Sequence, residues 1–140
     1  MRIEKAEMIT FVQNGNENGK ISIIEGNQAV PFEIKRVFYI YNTAFESVRG
    51  KHSNRKTEFV LIAVSGSCKV LAKDGMGYEE IFNLDNPNQG VYLPKLIWKE
   101  MYDFSEDCVL LALASEHYDA QEYIRSIEEL QQEIQEERTI

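Results

Sequence analysis

Arg49-Gly50-Lys51-His52-Ser53-Asn54-Arg55-Lys56-Thr57-Glu58, with Gly66 eight residues further on, is the stretch on which the reading of this chain turns. It spells G-x-H-x-N-x3-E. In an extended strand, residues two apart share a face, so His52 and Asn54 are expected to point the same way, into whatever the strand encloses. Directly after it, Glu58–Val64 is almost continuously apolar, the pattern of a strand buried on both faces. Further short β-like runs lie on either side: Ile21–Ile24, Phe32–Tyr41, Cys68–Ala72, Tyr78–Phe82, Gly90–Leu93, Ile97–Tyr102 and Cys108–Ala114. Turn chemistry separates them at Asn14-Gly15, Asn18-Gly19, Ser65-Gly66-Ser67, Asp74-Gly75 and the loop around Pro87. Eight or nine short strands at this spacing predict an all-β sandwich or barrel, a closure that hides the edges so many strands would expose.

The last 25 residues change period. Ala120, Tyr123, Ile127, Leu130 and Ile134 recur every three or four residues, which predicts an amphipathic helix over about 119–137. Asp119 with Glu122 resembles a capping box at its start.

At 140 residues and 16.2 kDa the chain has the size of a single domain, 1–140, with a barrel over about 1–115 followed by the helix. Its formal charge of −8 argues against nucleic acid, whose phosphates need a basic footprint. The charge is uneven. Residues 116–140 carry −6, whereas residues 35–56 hold six bases and one acid, or +5. A basic stretch inside an acidic chain suits one small anionic ligand. No apolar run approaches the ~20 residues of a membrane span, and the N-terminus lacks a signal peptide's apolar segment. Cys68 and Cys108 sit in apolar segments outside any C-x-x-C pattern, as buried free thiols in a reducing cytoplasm would.

The G-x-H-x-N-x3-E frame with its later glycine resembles the first cupin motif, usually H-x-H-x3-E. Gly90-Val91-Tyr92-Leu93-Pro94 with Trp98-Lys99 stands in the place of the second. The four metal-ligand places would then hold His52, Asn54, Glu58 and Lys99. A protonated lysine is no ligand and an amide oxygen is a poor one for transition metals, so no metal is expected. More closely, the chain is similar to the sugar 3,4-ketoisomerase cupins that act on dTDP-4-keto-6-deoxyglucose. The match runs through residues 31–40, Arg49-Gly50-Lys51-His52, residues 64–68, 90–93 and 98–105, Leu113-Ala114-Ser115, Tyr118-Asp119 and Tyr123-Ile124-Arg125. The resemblance implies a cupin jelly-roll β-barrel with a C-terminal α-helix and a homodimer with exchanged N-terminal strands. It also implies metal- and cofactor-independent isomerisation of a nucleotide diphosphate sugar in deoxyamino-sugar biosynthesis. The sequence departs from the family pattern where a second histidine is replaced by Asn54, and where the residue after the tryptophan is Lys99.

Such a reaction needs a base at sugar carbon 3, a group to stabilise the enediolate, and an acid at carbon 4. His52 is the candidate base, with Asn54, Lys99 and Tyr39 as further catalytic candidates. Asn54 cannot take a proton but can hydrogen-bond. Lys99 could deliver a proton if burial lowers its pKa. Arg36 and Arg49 are candidate diphosphate clamps, Trp98 and Tyr102 candidate stacking partners for the base, and Glu58 a further substrate contact. The alternative is a non-catalytic cupin that binds a nucleotide sugar, suggested by Asn54 in the place of a usual catalytic histidine.

Overall fold

The computed structural model describes residues 5–138. Ten strands form two five-stranded antiparallel sheets packed face to face. The first sheet runs in the order β1 (Glu7–Thr10), β9 (Gln89–Leu93), β6 (Phe59–Ser65), β11 (Val109–Ala114) and β4 (Arg36–Tyr41). The second runs β12 (Tyr123–Ile124), β5 (Arg49–Asn54), β10 (Trp98–Tyr102), β7 (Cys68–Lys73) and β8 (Glu79–Leu84). Strands β2 (Val12–Asn16) and β3 (Gly19–Ile23) make a separate hairpin that turns at Glu17-Asn18; Asn14-Gly15, expected as a turn, instead lies inside β2, paired with Ile21 and Lys20. This is the jelly-roll barrel expected of the sequence. β1 pairs with β9 of its own chain, Glu7 opposite Tyr92.

Strand β6 explains why its run is apolar throughout. Phe59, Leu61 and Ala63 face the interior between the sheets, with Val70, Leu93, Leu110 and Ala112. Val60 and Ile62 face outward, where Phe11, Val30, Phe32 and Tyr92 cover them. That cover corrects the expected Phe32–Tyr41 strand: extended pairing begins only at Arg36, because Phe32 is used as a lid on the outer face of the sheet. Gly90 stands at the closest approach of β9 to β6, where a Cβ would come within 2.9 Å of Val60 and Ile62.

The C-terminal helix α1 spans Ile127–Arg138, eight residues later in its start than the periodicity suggests. Asp119 caps only a single 3-10 turn, Ala120–Glu122, accepting from the Gln121 amide at 3.0 Å. Tyr123 and Ile124 then pair with β5, opposite Asn54 and Ser53. The cap of α1 is Ser126, whose hydroxyl accepts from the Glu129 amide at 3.1 Å. Leu130 and Ile134 pack on Trp98 and Ile124. Arg55 latches the helix from outside, pairing with Glu129 at 2.9 Å and Glu133 at 3.2 Å. One base of the +5 stretch is thereby spent on the acidic helix. No helix among the described residues is long and apolar enough to cross a membrane.

Candidate active site

A cavity of about 270 Å³ opens between the sheets. Strand β4 contributes Phe38, Tyr39 and Ile40 to its wall, β5 contributes Arg49, Gly50 and His52, and β6 contributes Phe59 and Leu61. Lys99 and Met101 come from β10, and Tyr123 from β12. Two larger depressions beside Asn42 have Glu106 in common and neither a histidine nor a lysine in their walls.

His52 reaches the cavity through a bulge. Against β10, His52 pairs with Lys99 but Gly50 pairs with Glu100, so Lys51 is the extra residue. Gly50 and Lys51 take positive φ, +85° and +58°. A Cβ on Gly50 would stand 2.9 Å from the Lys99 carbonyl oxygen, so the close pairing needs glycine there. The bulge sets His52 directly opposite Lys99. His52 Nδ1 lies 3.1 Å from the Gly50 carbonyl. A carbonyl only accepts, so the hydrogen belongs on Nδ1 and the Nε2 lone pair is left free. The ring stacks 4.7 Å from that of Tyr123. Burial, and next the charge of Lys99, lower the His52 pKa to about 4. The imidazole is neutral at physiological pH.

Lys99 is 4% exposed. Strand alternation turns Lys99 and Met101 inward and Trp98, Glu100 and Tyr102 outward. Nζ donates to Asn54 Oδ1 at 2.8 Å and sits 4.5 Å from the centre of the Phe59 ring. Burial lowers the Lys99 pKa to about 7, opposed by the carboxylate of Glu122 and assisted by the charge of Arg36. Asn54 does not line the cavity. It lies behind Lys99, and its Nδ2 donates to Glu122 Oε1 at 2.6 Å.

Of the other residues singled out from the sequence, Tyr39 and Arg49 border the cavity. Arg36 lies between the rings of Phe38 and Tyr118, and its buried Nε and Nη2 have no protein partner. Glu58, Trp98 and Tyr102 are not brought to the cavity. Glu58 accepts from the Tyr92 hydroxyl on the other side of β6. Trp98 is buried beneath α1, with Nε1 donating to Glu100 at 2.9 Å, and Tyr102 has the outward parity of the same strand. The reason is common to the last two: with Lys99 facing in, its even-numbered neighbours must face out. Glu58 likewise leaves the four presumed metal-ligand positions unassembled, and among the described residues no three His, Cys, Asp or Glu side chains converge. Sequence reasoning missed Glu122 and Tyr123. Both fall in the stretch whose spacing imitates a helix.

Two antiparallel sheets enclosing a polar site on β5 and β10 define a cupin. The chain belongs to the family described as FdtA, WxcM-like, C-terminal, which it matches over residues 4–135. It is 42% identical over 128 residues to a TDP-4-oxo-6-deoxy-alpha-D-glucose-3,4-oxoisomerase of Aneurinibacillus thermoaerophilus, covering 91% of each chain. Among solved structures it resembles a histidine-to-asparagine variant of the 3,4-ketoisomerase QdtA from Thermoanaerobacterium thermosaccharolyticum, in complex with TDP-4-keto-6-deoxyglucose. There the TM-score is 0.90 at 38% identity, over 96% of this chain and 97% of that one. It also resembles WlaRA, a TDP-fucose-3,4-ketoisomerase from Campylobacter jejuni, with a TM-score of 0.85 at 38% identity over 91% and 93% of the two chains.

Proposed function

We propose that this chain is a sugar-nucleotide 3,4-ketoisomerase, moving the keto group of TDP-4-keto-6-deoxyglucose from carbon 4 to carbon 3 by proton transfer between protein side chains. The reading is carried by one observation: His52 and Lys99 are register partners at one cavity. Burial there favours a neutral imidazole and lowers the lysine pKa to about 7. His52 Nε2 takes the proton from carbon 3, and the electrons of that bond form the carbon 3–carbon 4 double bond of an enediolate. The Lys99 ammonium stabilises the negative oxygen and delivers a proton to carbon 4. The proton of the carbon 3 hydroxyl passes to the oxygen on carbon 4, so one carbon-bound proton is lost at carbon 3 and one gained at carbon 4.

Asn54 supplies no proton and serves this reaction by holding Lys99. Arg49 at the cavity, and Arg36 with its unpartnered Nε and Nη2, suit a diphosphate. Tyr39 stands at the rim of the same opening, but its side chain shares the exposed outer face of β4 with Val37 and Tyr41, away from His52 and Lys99, so it takes no part in the proton transfer. The function belongs to deoxyamino-sugar biosynthesis. A homodimer suits the edge strand β4, which exposes Val37, Tyr39 and Tyr41 by 57–61% on its outer face. Two buried free cysteines suit a cytoplasmic enzyme.

The test is incubation with TDP-4-keto-6-deoxyglucose in deuterated water, read by NMR. The expected result is a 3-keto product with deuterium at carbon 4, abolished by His52→Asn. Binding of the sugar nucleotide with no deuterium entering carbon 3 or carbon 4 would establish the non-catalytic binding module instead.

A further inference from the structure

We propose that Glu122 is a positioning residue: through the Asn54 amide it fixes the Lys99 amine at the cavity wall and favours its charged form. This rests on the acid role given to Lys99 above, and concerns how a lysine is made to work in that place.

Glu122 is 4% exposed, and among the described residues no cationic side chain lies within ion-pairing distance of it. A carboxylate in that position is costly unless its oxygens are filled. They are filled by the backbone amides of Lys56 and Thr57 at 3.0 and 3.1 Å, by the Thr57 hydroxyl, and by Asn54 Nδ2 at 2.6 Å. The first three would suffice to lock the turn after β5. The fourth does something else. A side-chain amide has a donor end and an acceptor end. Because the carboxylate can only accept, Nδ2 must face Glu122, and Oδ1 must then face Lys99 Nζ, where it is found at 2.8 Å. Reversed, the amide would present its NH₂ to an ammonium.

The other neighbours of Lys99 offer no substitute. Strand β5 presents His52, β4 presents Arg36, β7 presents Ala72 and β6 the face of Phe59. Of these, Arg36 disfavours a charge on Lys99, as does His52 if it is protonated, and Ala72 brings no charge. Glu122 is the carboxylate that opposes them and the burial.

The experiment titrates the Lys99 Nζ resonance of the ¹⁵N-lysine-labelled full chain, assigned by its loss in Lys99→Met. In Glu122→Gln the midpoint is expected to fall by about one pH unit, a tenfold loss of the protonated form at a given pH. An unmoved midpoint with a lowered Tm would overturn the proposal, leaving Glu122 as a lock for the turn alone. If Glu122→Gln does not fold, Asn54→Leu carries the test. It leaves Glu122 its three other donors and cuts the link, and the midpoint must again fall; an unmoved midpoint there also overturns the proposal. The readout needs no turnover. A shifted titration in a protein that exchanges no deuterium would keep the relay and sink the isomerase.

Discussion

Loss of the Lys99 amine is the perturbation that bears most directly on the chemistry. With His52 active only when neutral, above about pH 4, and Lys99 only when protonated, below about pH 7, kcat/KM should follow a bell. Its top lies at about pH 5.5, and about one tenth of it remains at pH 8, since kcat/KM reports groups of the free enzyme. Methionine is close in length to lysine and carries no proton. In Lys99→Met the rate should fall by roughly 10²- to 10⁴-fold, the usual worth of a positioned acid, and the alkaline limb should vanish because its titrating group is gone. The vacated Asn54 Oδ1 costs about 1–3 kcal/mol as an unpaired buried acceptor, so the variant's fold is checked by circular dichroism before rates are compared. The assay is the initial rate of 3-keto product formation by NMR, from pH 4 to 9 at constant ionic strength. An alkaline limb still centred near pH 7 in Lys99→Met, or a rate within a few-fold of the parent, would refute the assignment.

Three further outcomes are expected. The folded-state pKa of Lys99 is depressed from 10.5 to about 7, so the unfolded chain binds more protons between those values and stability from this group rises as pH climbs from 7 to 10.5. The difference in urea unfolding free energy between the parent and Lys99→Met should change by a few kcal/mol across that window, and a flat difference would contradict the burial argument. Ile134→Ala should cost about 2–5 kcal/mol, since Ile134 is fully buried against Trp98. Trp98 is the only tryptophan, so its emission should shift to the red as α1 loosens. Gly50→Ala forces a side chain onto positive φ, 2.9 Å from the Lys99 carbonyl. It should cost about 1–3 kcal/mol and, by moving His52 off its partner, lower kcat/KM by about 10²-fold, read as product formation at saturating and limiting substrate.

The barrel could be read from the chain because its strands are marked by local chemistry, apolar runs cut by turns such as Asp74-Gly75 and Ser65-Gly66-Ser67, although Asn14-Gly15, which has the same turn chemistry, is held inside β2 by its pairing with β3. His52 and Lys99 were legible because each stands at a fixed place in a motif. What escaped was set by contacts distant in sequence. Trp98 and Tyr102 have the composition of stacking residues, but the parity of β10 is decided by Lys99 facing in, and nothing local states which set is inward. Asp119 and Glu122 obey the spacing of a capping box, yet Glu122 gains more from three donors on the turn after β5 and a fourth from Asn54 at the strand's end than from an amide at a helix end, so the helix starts at Ile127. Asn54 reads as the loss of a histidine until its two amide ends are seen to join Lys99 to Glu122.

The segment that carries Glu122 and Tyr123 leaves the ribosome after all eleven preceding strands. Until it docks, the barrel can close around a lysine whose charge has no counterpart and a histidine with no ring beside it, while Trp98 lies bare. The surroundings proposed for Lys99 and His52 are thus completed only after the strands that bear them have been made. A variant lacking residues 119–138 would keep every residue of the core between the sheets, while Trp98 would lose its cover and Lys99 the carboxylate that opposes its burial.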